Sequence, residues 1–275
     1  MARPWRQLGD GVFVRRHDSY DLNVGLVIGD GACLVIDTRA SHTEARELVT
    51  AIRQVTAEPW IVLNTHAHFD HYFGNAVFRP APIWGHRRCA EQIVLHGERH
   101  RLDATALAGP GAAELSEVDL TPPDRLLTAS ATVDVGGRPV LLRHPGLGHT
   151  DNDVVALVPD AGVLFAGDLI EQGAPPAFED AFPLDWPATV DGLLTLASGP
   201  VVPGHGDVVD RPFVLAQRDE LAALAALAKR AFTEGRPAGD PGPGSPFPPQ
   251  VTRIAVERAY RQLRTPSVGR PARPE

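Results

Sequence analysis

The order hairpin, aspartate, helix, strand, histidine occurs twice along this chain, and the repeat limits its fold more than any other feature of the sequence. In the first copy, Val24, Leu26, Val27 and Ile28 lead through Gly29-Asp30-Gly31 into Leu34, Val35 and Ile36, which end on Asp37. Asp-Gly between two apolar runs predicts a tight hairpin, because glycine accepts the positive φ such a turn demands. Ser41, with Glu44 three residues on, has the pattern of a capping box, and Ala45, Leu48, Val49, Ile52 and Val55 follow at helical spacing. Residues 60–63 then form a short apolar strand that runs into Thr65-His66. In the second copy, strands at 154–158 and 163–166 flank Pro159-Asp160-Ala161-Gly162, and Asp168 follows. Pro187 opens a helix with Val190, Leu193, Leu194 and Ala197 on one face, and Val201-Val202 runs into His205. Two such halves are expected to meet sheet to sheet, with their strand-end loops converging on one edge.

The rest of the chain reads less evenly. Residues 87–99 predict a helix, whereas 102–129, broken by Gly109-Pro110-Gly111 and Pro122-Pro123, permits no assignment. Gly136-Gly137 turns another hairpin, whose second strand at 140–143 leads into the loop carrying His149. Helical spacing returns over 212–232 and 251–263, on either side of a Pro/Gly-rich stretch. A hydrophobic fraction of 43% with 22% charged residues is that of a chain with a real core, so all 275 residues are expected to form one main domain with appendages. The formal charge of −8 offers no basic face, which argues against nucleic-acid partners. Residues 1–10 hold no signal-like apolar run and nothing approaches a membrane span, so the expected address is cytoplasmic, without membrane partners. Cys33 and Cys89 are too few for a disulfide framework and read as structural thiols.

Chemistry-bearing side chains are densest in Thr65-His66-Ala67-His68-Phe69-Asp70-His71. On an extended backbone His66 and His68 project to one side, where both can grip one cation; on a helix they would diverge. Asp70 and His71 lie at the turn beyond and can reach a second ion. A catalytic zinc site takes three protein ligands and keeps a position for water. His149, in Gly146-Leu147-Gly148-His149-Thr150, is the candidate third ligand of the first ion, and His205, in Pro203-Gly204-His205-Gly206, the candidate that completes the second. Asp168 follows an apolar strand, where an unpartnered carboxylate is costly to bury, and is expected to bridge two cations and offset their repulsion. Asp37, its counterpart in the first half, is expected to accept a hydrogen bond from the metal-binding loop.

With His66-Ala67-His68-Phe69-Asp70-His71, His149, Asp168 and His205 each at a matching position, the chain resembles the metallo-β-lactamase superfamily over roughly residues 12–230. The resemblance implies an α/β fold, a four-layer αββα sandwich of two mixed sheets with the metals at one edge. It divides the chain into a hydrolase domain at 1–233, a Pro/Gly linker at 234–250 and a C-terminal helix and tail at 251–275. The nearer likeness is to glyoxalase II-like and lactonase-like hydrolases, because the true β-lactamases place cysteine or another ligand set where this chain has Asp168. No substantial C-terminal domain of the glyoxalase II kind is read here.

The implied cofactors are two divalent ions, zinc first, although all-His/carboxylate ligation also suits iron or manganese. The expected reaction is attack of a metal-bridging hydroxide on the acyl bond of a small molecule (ester, lactone, thioester or related), with Asp70 as the catalytic residue that orients it. Rival readings are an iron-dependent oxidoreductase of the same fold, persulfide dioxygenase-like, a small-molecule phosphodiesterase, and a non-catalytic metal-binding module. A homodimer is compatible with the sequence. The segment 171–186, carrying Phe178, Phe182 and Trp186, is expected either to wall the substrate site or to pack its aromatics on the protein body.

Overall fold

The computed structural model describes residues 3–108 and 112–264. The Gly109-Pro110-Gly111 break and the tail after residue 264 lie outside these described residues. Seven strands make the first sheet, in chain order: β1 (Arg6–Gly9), β2 (Val12–Arg16), β3 (Asn23–Ile28), β4 (Cys33–Ile36), β5 (Trp60–Leu63), β6 (Ile83–His86) and β7 (Arg125–Leu127). The second sheet runs β12-β11-β10-β9-β8, from β8 (Ser130–Val135), β9 (Arg138–Arg143), β10 (Val155–Val158), β11 (Val163–Glu171) and β12 (Val201–His205).

The repeat seen in the sequence is the nucleus of each sheet. Strands β3 and β4 form an antiparallel hairpin and β5 joins it in parallel; β10, β11 and β12 do the same. A parallel neighbour needs a crossover, which α1 (His42–Arg53) supplies in the first half and α6 (Trp186–Leu194) in the second. Ser41 caps α1 as expected, its hydroxyl accepting from the Glu44 N–H at 3.2 Å, while the Glu44 carboxylate reaches back to the Ala40 N–H.

Alternation along the strands sorts the core into layers. Val27, Leu34, Ile36 and Leu63 point between the sheets, against Val140, Leu142, Ala156 and Phe165 of the other sheet. Their neighbours Leu26, Cys33, Val35 and Val62 point outward onto Leu48 and Ile52 of α1. Behind the second sheet, Val155 and Leu164 pack on Val190 of α6, Leu221 of α7 (Arg211–Thr233) and Val256 of α8 (Pro249–Arg264). The result is the expected αββα sandwich. At Gly25 a Cβ would come within 2.5 Å of the Phe165 ring, so only glycine lets the sheets close there.

Three readings needed correction. The helix at 87–99 continues as α4 (Arg87–Leu107), and the unassigned segment beyond it holds α5 (Ala112–Ser116) and β7. Leu102 and Leu107 are exposed, so the apolar spacing along this stretch does not report its buried face, where Ala104 packs with Leu115 and Val118. Strand β11 does not stop before Asp168 but carries it, because parallel pairing with β12 extends to Glu171 opposite His205. Strand β1 precedes residue 12, where the sequence resemblance begins, and pairs with β2 at the edge of the first sheet. Both cysteines are buried free thiols, and among the described residues no helix is long and apolar enough to cross a membrane.

Candidate metal centre

Two short helices follow β5: α2 (Phe69–Tyr72), capped by His68, and α3 (Asn75–Phe78). A bend at 65–67 carries His66, His68 follows on extended backbone at φ −90 and ψ 144, and Asp70 and His71 lie on the first helical turn. This loop is held from below by a buried polar set. Asn64 donates to the His71 carbonyl and to the Asn75 side chain, and the Thr38 hydroxyl shares its one proton between the same two acceptors. Opposite it stand His149 from the β9–β10 connection, Asp168 within β11 and His205 at the end of β12.

The structure brings together all seven residues singled out in the sequence. His66, His68, His149 and Asp168 form one group and Asp70, His71 and His205 a second, each with candidate ligand atoms within 4.8 Å of one another. Asp168 stands between them. Its Oδ2 lies 3.6 Å from His66 Nε2, 3.5 Å from His149 Nε2 and 3.2 Å from His205 Nε2, and its Oδ1 lies 3.3 Å from His71 Nε2. Asp70 Oδ2 lies 3.5 Å from His205 Nε2 and 3.7 Å from His71 Nε2.

Hydrogen bonds on the far side of the rings fix which nitrogens face inward. Asp37, left-handed at φ 68, a region that aspartate tolerates, accepts from Thr65 N–H at 2.8 Å, Thr65 Oγ1–H at 2.9 Å and His71 Nδ1–H at 2.8 Å. Because the Thr65 hydroxyl donates to Asp37, its oxygen accepts from His66 Nδ1–H at 3.0 Å. The Nε2 atoms of His66 and His71 thus turn bare lone pairs inward. His205 donates Nδ1–H to the Tyr20 carbonyl at 2.6 Å. His68 differs: its Nε2 meets both Asp180 oxygens at 3.2 Å, so its Nδ1 faces inward, 2.8 Å from His149 Nε2.

These residues fit a cation. His66 Nε2, His71 Nε2 and Asp168 Oδ1 are buried without a hydrogen-bond partner, a cost of roughly 1–3 kcal/mol each that ligation would remove. Burial, reinforced by neighbouring imidazoles, holds His66 well below the usual histidine range and brings His149 down to about 4, so both are neutral as ligation requires. Burial opposes ionisation of Asp168, yet the electrostatic pull of the surrounding histidines, His205 foremost, outweighs it and holds the carboxyl well below its usual range. The approach is close: a Cβ on Gly204 would fall 1.7 Å from Asp168 Oδ1.

Three neighbours carried no signal in the sequence. Asp180 holds His68, Glu171 Oε1 lies 3.7 Å from the unpartnered His149 Nδ1, and Asn152 accepts the Ala67 N–H at 3.0 Å. Burial and nearby Asp168 bring Glu171 up to about 8. Asp180 and Glu171 lie within 171–186, the segment that also carries Phe178, Phe182 and Trp186. Of these, Phe178 and Trp186 pack into the core, and Phe182 alone lines a cavity beside His68.

A family model described as the metallo-beta-lactamase superfamily matches residues 20–227. The chain is 29% identical over 153 residues to a probable metallo-hydrolase of Bacillus subtilis, covering 55% of this chain and 67% of that protein. It is 26% identical over 205 residues to a type 2 metallo-beta-lactamase of Bacillus cereus, covering 72% of each. Among solved structures, a metallo-beta-lactamase from Pontibacter korlensis shares the fold with a TM-score of 0.66 and 22% identity, over 81% of this chain and 99% of the other.

Proposed function

The chain belongs to the metallo-β-lactamase superfamily, and on that premise we propose that it is a metal-dependent hydrolase that cleaves an acyl bond of a small molecule with two divalent cations, zinc the expected ion. The observation that carries this reading is the placement of Asp168 between two ligand groups in which the buried Nε2 atoms of His66 and His71 and the Oδ1 of Asp168 itself have no hydrogen-bond partner. His66, His68 and His149 would hold one ion, Asp70, His71 and His205 the other, with Asp168 shared. When bound, such cations lower the pKa of water toward about 7 and polarise a carbonyl oxygen.

The remaining roles belong to the chain's own side chains. Asp70, almost fully buried, orients the attacking water and passes its proton to the departing alkoxide, thiolate or amine while the acyl–leaving-group bond breaks. Asp37 and Asp180 keep the rings of His71 and His68 turned inward, and the Tyr20 carbonyl does the same for His205. The sandwich core beneath is close-packed, so these groups are pre-oriented before substrate arrives.

The test is metal quantification of purified protein, paired with turnover of lactones, thioesters, carboxyl esters and β-lactams with and without chelator. Chelator-sensitive hydrolysis of one class, with about two zinc ions per chain, is expected. Iron in the protein with oxygen consumption, or turnover confined to phosphodiesters, would replace this reading with one of its rivals.

A further inference from the structure

Packing alone does not fix every candidate ligand. The rings of His66, His71 and His149 are at most 1% exposed, whereas those of His68 and His205 are 30% and 20% exposed, so hydrogen bonds must set the aim of these two. Asp180 does so for His68. For His205, which the second half of the chain delivers at the end of β12, the bonds come from the first half, at the turn between β2 and β3. The ring donates Nδ1–H to the Tyr20 carbonyl, Leu22 pairs with His205 as an isolated antiparallel bridge, and the Gly206 N–H donates to the Asp21 carbonyl at 3.1 Å. Presenting those carbonyls strains the turn. Tyr20 (φ 59, ψ 6) and Asp21 (φ 56) are consecutive non-glycine residues in the left-handed region, a conformation that persists only where surrounding contacts over-determine it. Arg16 supplies some of those contacts, taking both Asp21 oxygens at 2.5 and 2.7 Å and reaching Asp207 as well.

Asn23 supplies the rest. It is buried at the start of β3, its backbone paired opposite Arg16, and its one Nδ2 donates to the Pro203 carbonyl at 3.0 Å and to the Gly206 carbonyl at 2.9 Å, on either side of His205 in the chain. Aspartate, equal in size, offers only acceptors to those carbonyls, and serine only one hydrogen. We propose that Asn23 is the positioning residue for His205. By tying down both flanking carbonyls it fixes the loop on which His205 Nε2 meets Asp168 and Asp70, and so sets the affinity for the second cation but not the first. A ligand atom must lie within about 0.2 Å of its bonding distance, so a small drift of this loop is enough to weaken the site. Among the described residues, the rings of His66, His68 and His149 make no hydrogen bond to residues 16–23. The inference deepens the hydrolase reading and rests on its second cation.

Two readouts test this, and the first needs no second cation. In the protein as purified, nuclear magnetic resonance follows the His205 Nδ1–H proton, assigned by its absence in His205→Ala, against the His71 Nδ1–H proton held by Asp37. Asn23→Ser is expected to speed exchange of the His205 proton with water at least about tenfold and to leave that of His71 within about twofold. The second readout is stepwise zinc affinity, measured by competition with a chromophoric chelator. The weaker step should fall about 10–100-fold in Asn23→Asp and less in Asn23→Ser, while the tighter step stays within about twofold. Thr252→Ala removes a buried hydroxyl that donates to the Phe247 carbonyl at 2.9 Å on α8, so it should lower the unfolding midpoint yet leave both protons and both steps unchanged. General loss of stability therefore does not imitate the effect. If Asn23→Asp does not fold, Asn23→Ser decides alone. Unchanged His205 exchange in Asn23→Ser, or both zinc steps weakened alike, would overturn the proposal. A protein that holds one zinc ion, and in which Asn23→Ser still frees the His205 proton, would retain the positioning of His205 and lose the second cation. Two firmly held zinc ions, with steps and protons indifferent to Asn23→Ser, would do the reverse.

Discussion

Replacing Asp37 separates the support of the metal centre from the centre itself. The carboxylate is buried and accepts three hydrogen bonds, from Thr65 N–H, Thr65 Oγ1–H and His71 Nδ1–H. Asp37→Asn keeps the size and the tolerance for the left-handed backbone at φ 68, so it adds no strain. One amide oxygen can still accept from Thr65, but its NH2 then faces His71 Nδ1–H, donor against donor. His71 must move its proton to Nε2, the atom 3.3 Å from Asp168 Oδ1, where a ligand lone pair is required. Loss of such a partner typically weakens metal binding by about 10–100-fold, or roughly 1.4–2.7 kcal/mol. Asp37→Ala goes further. It strands the Thr65 N–H at about 1–3 kcal/mol, removes the second oxygen that accepts from both Thr65 Oγ1–H and His71 Nδ1–H, donors that can only partly re-pair, and gives up aspartate's tolerance of left-handed backbone at about 1 kcal/mol. A total near 3–5 kcal/mol is expected. Chelator-competition titration reads the first variant and urea unfolding of the metal-loaded protein reads the second. Metal affinity within twofold of the original in Asp37→Asn, together with a stability loss below about 1 kcal/mol in Asp37→Ala, would refute the reasoning.

Other perturbations follow the same logic. Gly204→Ala drives a Cβ into Asp168, so metal content measured by mass spectrometry should fall while the far-ultraviolet spectrum is unchanged. His205→Ala should lower zinc from about two ions per chain toward one, since His66, His68 and His149 form a separate group; unchanged stoichiometry would argue against the two-site assignment. His17, buried against Arg39 and Arg15, is pushed down to about 2 by burial first and those guanidinium groups second. Between about 2 and the ordinary value near 6.5 the unfolded chain binds the extra proton, so stability falls as pH falls through 6.5. From neutral pH to 5 the His17 contribution lost is about 2 kcal/mol, and His17→Gln should flatten that part of the unfolding-versus-pH curve. Chelation should lower the unfolding midpoint reversibly, by the equivalent of about 4 kcal/mol where free metal had stood at a thousand times its dissociation constant.

Much of the sandwich was legible along the chain because its information is local. Alternation in β3, β4 and β5, the Asp30-Gly31 turn, and the Ser41 cap with its amphipathic helix each depend on residues a few positions apart. The 102–129 region was not legible, since its outward face carries Leu102 and Leu107 and its inward face small residues such as Ala104. Strand β11 was cut short at Asp168 because a charged residue reads as a strand end, whereas pairing with β12 extends the strand through it.

The sequence by itself determined the ligand types and the twice-used frame that delivers them, because donor chemistry and strand or helix periodicity are written in neighbouring residues. Only the tertiary structure decided which atoms of those residues face one another. The bare Nε2 atoms of His66 and His71 are set by Asp37, and the inward Nδ1 of His68 by Asp180, which lies 112 positions away. The meeting of α4 with α8 around the cavity beside His68 belongs to the same class. Such partners are chosen by packing across distant segments, so no local pattern records them.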